Sequence, residues 1–171
     1  MEQIQPKTGK YSLNYGLILG AIGVAFSLML FLVDAHTTNS PVVQIVNIVI
    51  SVAIIFWGIL SFRKANGGLL SIGQALKLGA GISLIAGILS VLYLLLLSNV
   101  LDPDFARVMT EARMAEAAAS GNMTPEQIEQ GVEMGEKFFW FGYPIILIMS
   151  VVFGLIIGLV GGLIFKKTEE A

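Results

Sequence analysis

Charged residues disappear from this chain in four long blocks, and the remaining polar positions are organised around them. Residues 11–33, 35–62, 78–101 and 138–165 contain no Asp, Glu, Lys or Arg. About 20 helical residues rising ~1.5 Å each cross a ~30 Å hydrocarbon layer, so every block is long enough to span one. The pattern predicts crossing helices at about 13–33, 42–62, 77–100 and 140–165. Between the last two lies a polar segment, 102–137, with helical periodicity. Asp102 and Pro103 read as an N-cap followed by a first-turn proline. Phe105, Val108, Met109, Ala112 and Ala115 then share one face, and Gly121 and Asn122 end the helix. Thr124, Pro125 and Gln127 restart one with a capping-box arrangement, and Ile128 and Val132 mark its apolar side.

These elements make a single domain over 1–171. The expected fold is all-α: a four-helix transmembrane bundle with an extracytoplasmic amphipathic helical hairpin between spans three and four. Ala65, Asn66, Gly67 and Gly68 form a turn signal after span two. Residues 69–76, framed by Lys64 and Lys77, read as a short interfacial lead-in to span three. The first apolar run is 21 residues from Leu13 to Val33, beyond the usual 7–15-residue core of a signal peptide, so a retained helix is expected.

Composition agrees with the pattern. Of 171 residues, 56% are hydrophobic and 13% charged, where soluble domains carry roughly a quarter charged. There is no cysteine, which removes disulfides, thiolate metal sites and thiol nucleophiles. The charges that remain are sorted by side. Alternating crossings place Lys7, Lys10, Arg63, Lys64, Lys77, Lys166 and Lys167 on one face with Glu2, Glu169 and Glu170. Arg107, Arg113 and Lys137 fall on the other face with nine acids. Cytoplasmic loops are enriched in Lys and Arg, so both termini are expected in the cytoplasm and 102–137 outside. Tyr11, Tyr15, Trp57 and Phe62 are placed at the inner interface, and the aromatic run 138–143 at the outer one.

Lipid supplies no hydrophobic drive between helices, so small residues that allow close approach must do so. Ser12, Gly16 and Gly20 recur every fourth residue in span one. Ala75, Gly79, Ser83 and Gly87 do so in span three, and Ser150, Gly154, Gly158 and Gly162 in span four. These stripes predict packing within one bundle or between two copies of it. Span two differs: Gln44, Asn47 and Ser51 form a polar stripe, read as interhelical hydrogen bonding or as the lining of a polar pathway. Spans two and four share eight identities over 24 ungapped positions beginning at Pro41 and Pro144, which suggests a duplicated helical hairpin.

Little else points to chemistry. His36, the only histidine, is expected as an exposed loop residue, and Glu126, Glu129, Glu133 and Glu136 as a solvated helix face. No catalytic, metal or cofactor residues are assigned. The acidic outer segment argues against nucleic acid and anionic lipid.

Several segments together resemble a family of four-span membrane proteins, mostly from Bacteroidota, catalogued as domain-of-unknown-function family four-one-nine-nine. They are the Tyr-Gly-Leu-Ile-Leu-Gly run at 15–20, Gly67 and Gly68 with the Leu-Ser-Ile-Gly-Gln-Ala-Leu-Lys run at 70–77, and Leu-Asp-Pro-Asp-Phe at 101–105. Met-Thr-Pro-Glu-Gln-Ile-Glu at 123–129 and the closing Lys166 and Lys167 complete the set. The resemblance implies a bacterial inner-membrane location and brings no activity with it. The expected function is a non-enzymatic packing or interaction subunit that meets lipid and either a second copy or other membrane proteins. The alternative is a small neutral-solute transporter or channel subunit. A proton-coupled pump is disfavoured, because no Asp, Glu, Lys, Arg or His is expected at membrane depth, Lys77 standing at the mouth of span three.

Overall fold

The computed structural model describes residues 6–37, 40–121 and 123–167. Glu2, Asn122, Glu169 and Glu170, named above, lie outside the described residues. Helix α1 spans Thr8–Leu32, α2 Pro41–Ala65, α3 Ile72–Leu96, α4 Phe105–Ser120, α5 Pro125–Lys137 and α6 Gly142–Phe165. A π-helical turn, Leu97–Leu101, prolongs α3, and a 3₁₀ turn, Phe139–Phe141, leads into α6. Four of the helices (α1, α2, α3 with its π turn, and α6 with its 3₁₀ turn) are long and apolar enough to cross a membrane. The fold is an all-α membrane bundle.

Local chemistry explains the boundaries. Pro41 opens α2, where its missing N–H is not needed. Gly67 and Gly68 adopt φ of 65° and 84°, which glycine allows at little cost, and turn the chain between α2 and α3. Arg63 Nε donates to the Gly68 carbonyl at 2.9 Å and braces that turn. Helix α3 starts at Ile72, so the segment expected as an interfacial lead-in is largely its first turn. Ser71 and Gln74 cap it reciprocally, the Gln74 amide donating to Ser71 Oγ at 3.2 Å and the Ser71 amide to Gln74 Oε1 at 2.9 Å. Thr124 and Gln127 do the same for α5. Leu70 and Lys167 exchange backbone hydrogen bonds of 2.8 and 3.0 Å, which ties the α2–α3 turn to the end of α6.

Asp102 is not the N-cap of α4. It follows the π turn, its side chain bonds His36, and α4 begins three residues later. The buried face of α4 also differs from the expected one. Phe105 and Thr110 are buried, whereas Val108, Ala112 and Ala115 are exposed. The reason is the partner: Gly131 and Gly135 of α5 sit against Met114 and Thr110, and that contact sets the rotation of α4.

Helix α3 is the centre of the bundle, with α1 on one side and α6 on the other. Its own core residues include Ala75, Leu78 and Ile82, all with no exposed surface. Helix α2 packs more loosely and through larger side chains. Tyr15 donates to Ser61 Oγ at 2.6 Å, Tyr15 meets Trp57 edge-on at 5.4 Å, and Tyr11 meets Phe62 edge-on at 5.5 Å. Phe62, expected at the headgroup level, is fully buried by this cluster. The two helical hairpins are therefore not equivalent. α3 meets α6 through small residues, α1 meets α2 through aromatics, and the paired glycines Gly58 and Gly161 face different neighbours.

The α3–α6 contact is backbone to backbone. A Cβ added at Gly79 would press on the Gly154 carbonyl and lie 2.9 Å from Gly158 Cα. Gly79→Val is therefore expected to destabilise the bundle by about 1–3 kcal/mol, the cost of overpacking. Gly9→Ala, with nothing within 4 Å, should instead be neutral or slightly stabilising. Unfolding midpoints of the two variants in detergent check this, and equal midpoints would contradict it.

Candidate functional site

The small-residue stripes face one another inside the chain. Gly16 and Gly20 of α1 sit against Ile85 and Leu89 of α3. On the opposite side of α3, Gly79 and Ser83 meet Gly154, and Gly87 meets Ser150. Gly158 and Gly162 close against Ala75 and the first turn of α3. With Ser12 against Gly81, all eleven small residues of the three stripes are in contact within the chain.

Close packing at those points does not fill the whole bundle. Toward the α1–α2 loop end of the bundle a cavity of about 150 Å³ is bordered by all four spans. Asn47 and Ser51 of α2, Ser83 and Ser90 of α3 and Ser150 of α6 supply its polar wall. Gln44, one turn further out, is exposed and does not border it. A second cavity of about 230 Å³ lies nearer the α1–α2 loop and shares Gly23 and Ser90 with the first. Ser27, Tyr93 and His36 contribute its polar groups, and Phe105 borders it as well.

The hydrogen bonding of these walls is uneven in an informative way. Ser51, Ser90 and Ser150 each donate to the carbonyl four residues earlier, at 2.7, 3.0 and 2.7 Å. Their oxygens keep acceptor capacity. Ser83 is 5% exposed, and its Oγ has no partner among the described residues. Tyr93 Oη and His36 Nδ1 are likewise buried without a partner. Unsatisfied buried groups cost about 1–3 kcal/mol each, so a molecule with hydrogen-bonding groups suits this space better than a hydrocarbon chain.

His36 contradicts its expected place on an exposed loop. Its side chain is only 12% exposed, and Nε2 lies 2.9 Å from Asp102 Oδ2. A carboxylate at that nitrogen selects the Nε2–H tautomer, which turns Nδ1 into an acceptor when the ring is neutral. Phe31 meets the ring edge-on at 5.0 Å, and Phe105 stacks on it at 6.0 Å. The residues that sequence reasoning missed are therefore Ser83 and Ser150 as cavity groups, Ser90, Tyr93, and the His36–Asp102 pair. The serines were legible only as small residues, and nothing local signals a contact between residues 66 positions apart.

Among the described residues no three His, Cys, Asp or Glu converge on a metal position. The profile of one protein family, described as Protein of unknown function (DUF4199), matches residues 14–167. The chain belongs to this family. No curated protein and no solved structure matches the chain. The DUF4199 match covers every span and both cavities, so the site lies within the family's own domain.

Because the chain lacks cysteine, single replacements report access directly. Ser90→Cys at the junction of the two cavities is expected to react with a small neutral thiol reagent far faster than Ile59→Cys in the fully buried core. Equal protection of both would show that the cavity is not reached from water.

Proposed function

We propose that this is a non-enzymatic facilitator that binds a small uncharged polar solute and passes it across a bacterial inner membrane. The observation that carries the reading is the cavity bordered by all four spans, with four serines and an asparagine on its wall. At about 150 Å³ it corresponds to roughly five water molecules at ~30 Å³ each, so the solute has only a few heavy atoms. Among the described residues no Asp, Glu, Lys or Arg borders either polar cavity, and a bare charge at membrane depth costs at least about 2.5 kcal/mol. The solute is therefore neutral. Ser51, Ser90 and Ser150 offer acceptor oxygens, so it carries several O–H or N–H donors, as a short polyol or urea does.

The excess of Lys and Arg at the start of α1, at the ends of α2 and α3 that flank their shared turn, and after α6 supports cytoplasmic termini, with α4 and α5 on the periplasmic side. The cavities then open outward, past His36 and Phe105. Below them Ile55, Ile59, Phe62 and Leu78 are fully buried and block the inner half. That seal argues against a standing pore. Passage across the membrane would require α2, whose first half is largely exposed, to move.

A packing or interaction subunit is the second reading. It is favoured by the outer half of α2, where Val42, Ile45 and Val49 are 68, 60 and 60% exposed. In that case a partner's polar side chain would fill the cleft instead of a solute.

Osmotic swelling of proteoliposomes with glycerol or urea separates the two. Solute entry above that of empty liposomes, reduced severalfold by Asn47→Leu, is expected. Entry equal to the background for both solutes, in the native chain and in Asn47→Leu alike, would contradict the solute reading and favour the second.

A further inference from the structure

A cavity larger than either polar one lies outside the polar site. It is a groove of about 570 Å³ between the α4–α5 pair and the outer ends of α3 and α6. Leu94, Ile145 and Ile146 come from the spans, Met109 and Met114 from α4, and Phe139 from the 3₁₀ turn. The wall is apolar and aromatic apart from Thr110 and Arg113. Thr110 satisfies its hydroxyl on the Ala106 carbonyl at 2.7 Å, which leaves Arg113 as the one charged group at the groove.

Two observations select the occupant. The first is size. A helix about 10 Å across takes roughly 400 Å³ for each turn, so the groove holds little more than one turn and is too short to dock a partner's helix. A single hydrocarbon chain has the right shape for a narrow apolar groove that starts at span ends. The second is charge. Arg107 is committed to Glu111 at 2.9 Å, whereas Arg113 is exposed and makes no ion pair among the described residues. An arginine above an apolar groove at the outer interface matches a phosphate attached to an acyl chain. The surrounding hairpin is strongly acidic, with two aspartates and six glutamates between 102 and 137. It disfavours an anionic headgroup and suits one carrying an ammonium beside the phosphate.

We propose that this groove binds one acyl chain of an outer-leaflet aminophospholipid, with its phosphate on Arg113 and its ammonium facing the acidic hairpin. The proposal is independent of the solute reading, since Asn47 and the serines of the polar cavity take no part in it. Such a lipid would hold α4 and α5 against the bundle and keep Phe105, which borders both spaces, in place over the outer cavity.

Photolabelling in nanodiscs tests this with a phosphatidylethanolamine that carries a diazirine on its acyl chain. Phosphatidylglycerol with the same chain is the comparison, and Ile45 and Val49, exposed on α2, report bulk lipid. Labelling of Met109, Met114 and Phe139 is expected to exceed the phosphatidylglycerol level by about tenfold, the scale of one charge-assisted hydrogen bond. Arg113→Glu should bring it down to the level at Ile45 and Val49 without changing labelling there, and Arg113→Lys should retain most of it. Groove labelling no higher than at Ile45 and Val49, equal labelling by the two headgroups, or no response to Arg113→Glu would each overturn the proposal.

Discussion

Hydrocarbon gives a helix no reason to leave lipid for another helix unless the two surfaces approach more closely than lipid can follow. In this protein α3 meets that condition on two sides. Gly79 and Gly154 bring its backbone onto that of α6, and Gly16 and Gly20 admit Ile85 and Leu89 from its other face into α1. Three helices are thereby held by contacts in which a single added methyl would collide. Helix α2 is held over one half, by the aromatic cluster around Tyr11, Tyr15 and Phe62 and by Phe56, Gly58 and Ile59 against α3 and α6, and its other half stands away.

The polar cavity follows from that unevenness. Where α2 is clasped, Ile55, Ile59 and Phe62 close the interior completely. Where it is not, the same stripe that admits close approach presents hydroxyls to a space that α2 does not fill. Serine serves both ends of this arrangement. It is small enough for close helix contact, and when its hydroxyl bonds the preceding turn its oxygen can still accept. Ser83 departs from the habit of Ser51, Ser90 and Ser150 and leaves its hydroxyl unpaired beside the cavity. An isolated bundle gains nothing from that, whereas a site that receives a polar molecule does.

Much of the architecture was legible because it rests on one-dimensional signals. The charge-free blocks marked the spans, four-residue spacing marked the close contacts, and Thr124 with Gln127 marked the start of α5. What stayed hidden depends on phase and pairing. Val108, Ala112 and Ala115 were as good a helical face as the one used, until Gly131 and Gly135 turned Thr110 and Met114 toward α5. Asp102 before Pro103 carried the signature of a helix cap, yet a π turn delivers it to His36 instead. The cavity draws serines from three helices and an asparagine from one of them, and no local pattern states that they converge. Ser71 with Gln74 was a capping signal of the same kind as Thr124 with Gln127. It was obscured because the apolar run 69–76 reads equally well as a surface segment.

The account stands or falls on whether the small-residue stripes of α3 and α6 meet within one chain. A Cβ at Gly87 would lie 3.1 Å from Ser150 Cβ, near the ~3.5–4.5 Å of disulfide-linked residues, and the chain has no competing thiol. The direct measurement is oxidation of the Gly87→Cys, Ser150→Cys double variant in native membranes, followed by non-reducing electrophoresis. The account predicts a crosslink within the monomer, at the monomer's mass. A covalent dimer formed in its place would show that the stripes join two copies, and the cavity described here would lose its walls.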